Sequence, residues 1–194
     1  GNTVGDAAQF RANLGNVVAG EENIVRATAT GAVYNSKDVA SASTIHYTGI
    51  ALQGAGAGNY TLASTEVQGA GTITPRALTL TLTNGTRFDK TYDGNANITK
   101  TLTKGTDYTL GNFAAGEGAG IALTPVTGTY TAGKDAGTDK AVALHAALQG
   151  TGAGNYTIAA TSAVGTIARR TLTLDAVTAQ TKTYDGTTAG DAMQ

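Results

Sequence analysis

The sequence predicts an all-β protein of tandem, sandwich-like antiparallel β domains, joined by a shared long strand in an elongated array. The pentapeptide KTYDG occurs twice, at 90–94 and at 182–186, which are 92 residues apart. The composition, with 27 Gly, 2 Pro, no Trp and abundant Thr, favours short strands and tight turns over packed helices. Leucine and threonine alternate over residues 78–83, as expected for a strand with one apolar face.

The spacing of the pentapeptide divides the chain into domains. Segments 1–9 and 186–194 read alike, so the first residue stands where the final glycine of a KTYDG would stand. A period near 92 residues is too long for one coil of a solenoid and has the size of a small domain. We therefore assign 1–76 to a repeat without its first strand, 77–169 to a complete repeat, and 170–194 to the first strand and motif of a further repeat. These segments are named the first repeat, the second repeat and the tail.

Composition excludes several function classes. The 13 Lys and Arg are scattered and nearly balanced by 14 Asp and Glu, so no basic patch is available for nucleic acid. The absence of Cys excludes disulfides and Cys-ligated zinc. No apolar run reaches the length of a membrane span, so we expect no membrane insertion by this segment.

Matching segments predict the early elements of the two repeats. One helical turn is expected at 7–14, without a clear cap. The matched features are the Ala-Gly-Glu turns 19–21 and 115–117, the strands 24–30 and 121–126, the tyrosines Tyr34 and Tyr130, and the Lys-Asp loops 37–38 and 134–135.

The next pair of segments combines conflicting propensities. Residues 140–149, rich in Ala and Leu, favour a helix, whereas their counterpart 44–53 contains β-branched residues and Gly49, which favour a strand. Because both segments occupy one place in the repeat, we predict that both are strands.

The most similar segments of the two repeats are 52–62 and 148–158, which share LQG-x-GAGNYT. Alternate glycines permit positive φ, and Asn tolerates the left-handed region. We predict a hairpin in which Asn59 and Asn155 lie in the turn and Tyr60 and Tyr156 anchor the turn to the core.

A third matched segment links the repeats. Residues 72–83 reappear as 166–174, and no flexible linker separates Ile73 from Leu78. One extended strand is therefore expected to close one domain and open the next, which would make the array stiff.

The order of these motifs resembles that of the YDG domain: KTYDG, a Lys-Asp loop, LQG-x-GAGNYT, and TITPR followed by the Leu-Thr alternation. The resemblance covers essentially the whole chain. It implies a non-catalytic all-β module repeated in large secreted bacterial surface adhesins similar to filamentous haemagglutinin, exported by two-partner secretion or as autotransporters. The implied role is an extracellular stalk or fibre that extends a binding tip, with neighbouring repeats as partners and an unspecified receptor. We further hypothesise that the tail of one molecule adds as a strand to the open edge of the next.

The pentapeptide itself has two interpretations. Asp93 and Asp185 could act in catalysis or bind a metal, or Asp-Gly could form a tight turn with Asp bonded to backbone amides. The repetition favours the turn, because active sites rarely occur as identical tandem copies. The structural motif then comprises Tyr92, Asp93, Gly94, Tyr184, Asp185 and Gly186, with the two tyrosines as packing residues.

The sequence contains few residue patterns that would indicate a metal, cofactor or catalytic site. His46 and His145 do not align between repeats, which argues against zinc, and no Gly-x-Ser-x-Gly or P-loop sequence is present. Calcium remains open at two carboxylate pairs, Asp135 with Asp139 and Asp89 with Asp93. We predict no enzyme activity and no cofactor.

Two surface roles remain as alternatives. Four N-x-Thr sequons occur, and Asn84 and Asn97 are the candidate glycosylation sites, because Asn59 and Asn155 belong to the repeated loop. Direct carbohydrate or ligand binding would require exposed aromatic rings. The candidates outside the repeated positions are Phe10, Tyr47, Tyr108 and Phe113.

Overall fold

The computed structural model describes residues 1–83, 85–159, 161–176 and 181–188. These residues form an all-β protein without an α-helix, as predicted, and three short 3₁₀ turns occur at Ala7–Gln9, Ala57–Asn59 and Ala153–Asn155. The strands are β1 (Arg26–Thr28), β2 (Gly31–Tyr34), β3 (Thr44–Thr48), β4 (Ala51–Gln53), β5 (Val67–Ala70), β6 (Arg76–Leu82), β7 (Lys90–Thr91), β8 (Asn97–Lys100), β9 (Tyr108–Gly111), β10 (Ala122–Leu123), β11 (Val126–Tyr130), β12 (Gly137–His145), β13 (Leu148–Gln149), β14 (Tyr156–Ile158) and β15 (Thr161–Ala168).

The strands form several small sheets that are mostly antiparallel, as expected. The first repeat contains the sheets β1-β4 and β2-β3-β5. The second repeat contains β10-β13, the three-stranded sheet β14-β6-β9, and the five-stranded sheet β7-β15-β12-β11-β8. Among pairs of the named strands in the described part of the chain, only β14 with β6 and β15 with β7 are parallel.

Equivalent strands of the two repeats pair in equivalent registers. Arg26 lies opposite Gln53 between β1 and β4, and Ala122 lies opposite Gln149 between β10 and β13, which is a shift of 96 residues at both positions. The backbone hydrogen bond of 2.7 Å from Tyr34 to Thr3 recurs at 2.9 Å from Tyr130 to Ala96. The two repeats therefore share these backbone pairings.

The hairpins β2–β3 and β11–β12 differ by one residue. Tyr34 lies opposite Ile45, whereas Tyr130 lies opposite Val142. The loop that carries the Lys-Asp pair is thus one residue longer in the second repeat. Ile45 and Val142 are both buried, so the inward face of the strand keeps its phase despite the extra residue.

The second repeat has the larger core. Its main hydrophobic cluster consists of Phe88, Leu102, Tyr108, Leu123, Val126, Tyr130, Val142, Leu144 and Ile167. The hydroxyl of Tyr108 accepts a 2.8 Å hydrogen bond from the Leu123 amide, and the Tyr130 hydroxyl donates to the Phe88 carbonyl. A Cβ at Gly165 would lie 2.1 Å from that carbonyl, so the segment around Phe88 can approach β15 only because this position is glycine.

A smaller cluster lies beside β6. Leu78, Ile121 and Tyr156 form it, and Leu78 is only 4% exposed. The strand β6 lies between β14 and β9, and Leu80 and Leu82 pack against the main cluster. The leucines of this alternating segment therefore form the inward face of the strand, as the sequence predicted.

Two local predictions can be judged directly. Segments 44–53 and 140–149 each contain two strands and no helix, which confirms that context overrides the helical propensity of the second segment. The helical turn expected at 7–14 is limited to the 3₁₀ turn Ala7–Gln9, where Asp6 accepts a 2.9 Å hydrogen bond from the Ala8 amide.

The GAGNY loop is not a hairpin, contrary to the prediction. The strand before it, β13, pairs with β10, whereas the strand after it, β14, pairs with β6. The loop instead moves the chain from one sheet to another. Gly54 and Gly150 open the two loops with φ of 111° and 107°, and a Cβ at either would collide with a backbone carbonyl.

The link between the repeats is not one long hydrogen-bonded strand. Strand β5 ends at Ala70 and β6 begins at Arg76, with Pro75, which has no amide donor, just before it. Residues 169–176 of the equivalent segment after β15 form no strand and are exposed.

Candidate functional site

Each repeat contains a tyrosine–glutamate pair between the GAGNY loop and the Ala-Gly-Glu turn. The Tyr60 hydroxyl donates to Glu21 at 2.7 Å and accepts from the Val18 amide at 3.1 Å. The shift of 96 residues reproduces both contacts in the second repeat, where Tyr156 donates to Glu117 at 2.6 Å and accepts from the amide of Ala114 at 3.3 Å. The repeated tyrosine therefore links the GAGNY loop to the Ala-Gly-Glu turn through its hydroxyl.

The two tyrosines differ in their surroundings. Tyr156 is 6% exposed and packs edge-on against Phe113, with ring centroids 5.3 Å apart. Tyr60 is half-buried. Burial, followed by the hydrogen bond to Glu117, raises the pKa of Tyr156, whereas the hydrogen bond to Glu21 is the largest cause that raises the pKa of Tyr60.

The GAGNY loop of the second repeat also contacts the first repeat. The Val39 amide donates to the Asn155 side-chain oxygen at 2.8 Å, and the Asn155 amide group donates to Asp38 at 2.8 Å. Lys37 lies 3.2 Å from Asp38 and 3.4 Å from Glu117. These bonds between the Lys-Asp loop of one repeat and the Asn-Tyr loop of the following repeat are named the inter-repeat contact.

Two ionised carboxylates, those of Asp38 and Glu117, accept hydrogen bonds in the region where the two repeats meet. The hydrogen bond from Asn155, followed by that from Lys37, lowers the pKa of Asp38. A hydrogen bond from the chain's N-terminal ammonium group, followed by that from Tyr156, lowers the pKa of Glu117 to about 2. Both carboxylates are therefore ionised at neutral pH, and both accept bonds that join one repeat to the other.

The KTYDG pentapeptide forms the tight turn that the sequence favoured. Asp93 lies 2.6 Å from Lys90 and accepts the Asn95 amide at 3.2 Å, and Gly94 has a φ of 86°. In the tail, Asp185 lies 2.9 Å from Lys182 and accepts the Thr187 amide at 2.9 Å, and Gly186 has a φ of 75°. The nearby lysine is the largest cause that lowers the pKa of each aspartate.

The tyrosines of the pentapeptide have different environments. Tyr92 is half-buried and packs against the main cluster. Tyr184 is 93% exposed, so the expected packing role holds for the first copy and not for the second in this structure.

Three of the four carboxylates considered for calcium, those of Asp89, Asp93 and Asp139, are bonded to cations or amides. Arg87 bonds Asp139 at 2.8 Å and Asp89 at 3.3 Å, and Asp89 also accepts the Thr166 amide at 2.6 Å. Among the described residues, no group of three or more His, Cys, Asp or Glu side chains comes together.

The remaining candidates are mostly packed or paired. Of the four aromatic rings considered for carbohydrate, Tyr108 and Phe10 are buried, which corrects their proposed use as a surface. Tyr47 is half-buried and packs on Phe10 with ring centroids 4.9 Å apart, and Phe113 packs on Tyr156. The side chain of Asn97 accepts a 3.2 Å hydrogen bond from Thr129, and Asn84 lies outside the described residues.

Sequence reasoning did not identify Glu21, Glu117 or Asp38 as partners. The signal was present, because the Ala-Gly-Glu turn and the GAGNY loop are displaced by the same 96 residues in the two repeats. A constant displacement of two segments is compatible with a fixed contact between them. The contact of Asn155 with Asp38, by contrast, joins different repeats, and no alignment of one repeat with the other reveals it.

The strand pairings, turns and tyrosine bonds define the class of protein as an all-β domain in which the motif residues support the fold. The family model for the YDG domain matches residues 1–67 and 74–163, and the chain belongs to this family. Comparison with the curated proteins gave no match, and comparison with the solved structures gave none. The described residues include no helix that is long and apolar enough to cross a membrane.

Proposed function

We propose that this chain is a spacer: a non-catalytic stalk or fibre segment of a large bacterial surface adhesin, secreted to the cell exterior, which extends a binding tip. Its sandwich-like domains follow one another in tandem and are joined through the extended segment that connects β5 with β6. Neighbouring repeats of the same protein are its principal partners.

The inter-repeat contact is the observation that carries this proposal. A stiff spacer requires that consecutive domains keep a fixed distance and orientation relative to each other. Asn155 provides such a connection, because it makes bonds of 2.8 Å both to the backbone of Val39 and to the side chain of Asp38. Two hydrogen bonds from one planar amide fix orientation as well as distance. Glu117 adds a further link, because it bonds both Lys37 and Tyr156.

The motif residues support the same role. Asp93 and Asp185 are engaged in turns, and Tyr60 and Tyr156 are engaged in anchors, so the repeated residues stabilise structure. The YDG family membership is consistent with a module that is used in arrays, and the export and adhesin context come from the resemblance of the motifs.

Single-molecule energy transfer between dyes on the two repeats tests the proposal. We expect one narrow distance distribution for the unaltered chain and a broader one for Asn155→Ala, because the amide that fixes the orientation is lost. Asn59→Ala is the matched control, since Asn59 is the same motif residue and no described side chain bonds to its amide group. A broad distribution in the unaltered chain, or equal broadening by both substitutions, would refute a spacer held by this contact.

A further inference from the structure

We propose that the second repeat resists mechanical tension along the array through a clamp between its early and late strands. The clamp consists of residues 87–92, which include β7, and residues 164–168 at the end of β15, and is named the parallel clamp. The inference rests on the proposed spacer function, because a spacer between a cell surface and a binding tip is pulled along its length. It goes beyond that function by assigning resistance to force to particular residues.

The parallel strand pairs of this repeat join the strands where the chain enters to the strands where it leaves. Its first two strands are β6 and β7, and its last two are β14 and β15. Arg76 lies opposite Tyr156 between β6 and β14, and Lys90 lies opposite Ile167 between β7 and β15. The other pairs of named strands in the described part of this repeat are antiparallel. Tension that enters before β6 and leaves after β15 therefore acts across both parallel pairs.

The direction of pairing determines how hydrogen bonds respond to a pulling force. In an antiparallel hairpin the two chain ends leave on the same side, so a pull on them opens the bonds one after another. When an entering strand and a leaving strand pair in parallel, their ends leave on opposite sides. A pull then slides one strand along the other and stretches all the bonds between them together, which requires a larger force. The pair of β7 with β15 has this second arrangement.

Backbone hydrogen bonds join both ends of the parallel clamp. The Phe88 amide donates to the Val164 carbonyl at 3.1 Å, and the Tyr92 amide donates to the Ala168 carbonyl at 2.9 Å. Phe88 precedes β7 and Tyr92 follows it. The contact with β15 therefore extends beyond the two residues of β7 in both directions.

Side chains add bonds in the middle of the parallel clamp. The Thr166 amide donates to the Asp89 carboxylate at 2.6 Å, and Arg87 donates to the Thr166 hydroxyl at 3.1 Å. Hydrogen bonds to charged groups are stronger than those between neutral groups. Bonds at residues 164, 166 and 168 of β15 must therefore break together when the two segments slide.

Lys90 of the KTYDG pentapeptide anchors the short strand of the parallel clamp. Its amino group lies 2.6 Å from Asp93 and donates to the carbonyls of Asn95 at 3.2 Å and Asn97 at 2.8 Å. Asn97 begins β8, which is the opposite edge of the five-stranded sheet, and the Lys90 side chain is only 10% exposed. Lys90 thus ties β7 to the other edge of the sheet, so that tension on β7 also reaches β8.

Force spectroscopy on the full chain tests the pulling geometry, with handles attached through cysteines because the natural chain has none. Thr74→Cys with Arg170→Cys applies tension across the second repeat along the array. Thr127→Cys with His145→Cys, at exposed residues that lie opposite each other in β11 and β12, pulls a hairpin open. These two attachments are named the array geometry and the hairpin geometry.

We expect the array geometry to give a force peak severalfold higher than the hairpin geometry. The peak should be followed by a lengthening of roughly 300 Å, because about 95 residues become extended. Equal forces in the two geometries, or no peak in the array geometry, overturn the proposal.

Lys90→Met, measured at constant force in the array geometry, tests the anchor. The substitution keeps the length of the side chain but removes its amino group. It should raise the unfolding rate about tenfold, the factor expected for the loss of one bond to a charged group. Lys140→Met is the matched control, because the Lys140 amino group also bonds two carbonyls, those of Gly133 and Asp135, in the loop between β11 and β12. Equal acceleration by both substitutions overturns the assignment of Lys90.

Asp89→Ala provides an independent test if Lys90→Met does not fold. The substitution removes the acceptor of the Thr166 amide and leaves the KTYDG turn in place. We expect faster unfolding in the array geometry and an unchanged rate in the hairpin geometry, which does not pull β7 away from β15. No acceleration in the array geometry, or the same acceleration in both geometries, overturns the proposal.

The dye distance distribution separates this inference from the spacer function. A narrow distribution together with a low force in the array geometry rejects the parallel clamp alone. A broad distribution together with a high force in the array geometry rejects the spacer held by the inter-repeat contact alone.

Discussion

The two repeats share their turns and strand pairings but differ in how much they bury. The same tyrosine–glutamate pair recurs at 2.7 Å and 2.6 Å, yet Tyr60 is half-buried and Tyr156 is 6% exposed. The second repeat contains β6 and the segment around Phe88, which cover its core. Local motifs thus determine the turns of this domain, whereas the leucine strand determines its burial.

The two KTYDG turns also have the same local geometry but differ in burial. The copy beside the core and the copy in the exposed tail both form the lysine–aspartate pair and the glycine with positive φ. Asp-Gly geometry comes from bonds within a few residues and does not need a packed neighbour. Burial of the tyrosine, by contrast, requires a packed neighbour, and of the two copies only Tyr92 has such a neighbour.

The largest expected effect concerns the leucine strand. Leu78→Ala should lower the free energy of unfolding of the second repeat by about 3 kcal/mol, because a buried leucine is replaced by a cavity. Leu172→Ala, at the matching position of the exposed tail, should change it by less than about 0.5 kcal/mol. Urea unfolding followed by tyrosine fluorescence measures both. Similar losses for the two variants would show that burial by this strand does not distinguish the repeats.

A smaller effect is expected at the tyrosine anchors. Tyr156→Phe removes a hydroxyl that bonds a carboxylate in a buried setting and should cost about 2 kcal/mol in unfolding free energy. Tyr60→Phe removes the same bond at a more exposed position and should cost less, because water can replace the hydroxyl. Thermal unfolding of the two variants compares them. A larger loss for Tyr60→Phe would contradict the assigned burial.

Substitution of the pentapeptide glycine compares the turn beside the core with the turn in the tail. Gly94→Ala should destabilise the second repeat by about 1 kcal/mol, because alanine is strained at a φ of 86°. Gly186→Ala should leave the unfolding curve unchanged, since the exposed tail contributes little to the core, and should alter only the local turn. Amide NMR shifts around each turn report the local change. Global destabilisation by Gly186→Ala would show that the tail is part of the folded unit.

The smallest expected effect is a pH dependence of the inter-repeat contact. The hydrogen bond from Asn155, followed by that from Lys37, lowers the folded pKa of Asp38, so the contribution of this carboxylate is complete above its usual pKa and is lost as the pH falls through the lowered value. The thermal midpoint measured between pH 7 and pH 2 should fall less steeply for Asp38→Asn than for the unaltered chain. Equal slopes would exclude Asp38 as the responsible group.

Much of the fold could be predicted from the sequence, because its signals are local or repeated. The Asp-Gly turns, the Ala-Gly-Glu turns and the strand at 140–149 follow from turn chemistry and from comparing one repeat with the other. The GAGNY loop was misinterpreted as a hairpin, because adjacent strands in sequence need not pair, and here β14 pairs with β6. The partners of Asn155 could not be predicted, since they lie 116 and 117 residues away and no periodic pattern records a contact between different repeats.

The parallel pairing of β6 with β14 has a consequence for the order in which the chain acquires its structure. Arg76 lies opposite Tyr156, so β6 emerges from the ribosome 80 residues before this partner. Its antiparallel partner β9 begins at residue 108 and arrives much sooner. Pairings so distant in sequence form late and slowly, because a long loop must close first. During synthesis from the amino end, β6 can therefore pair with β9 but not yet with β14, and one edge of β6 stays unpaired. We expect this leucine-rich strand to need protection by a chaperone until residue 158 has been made.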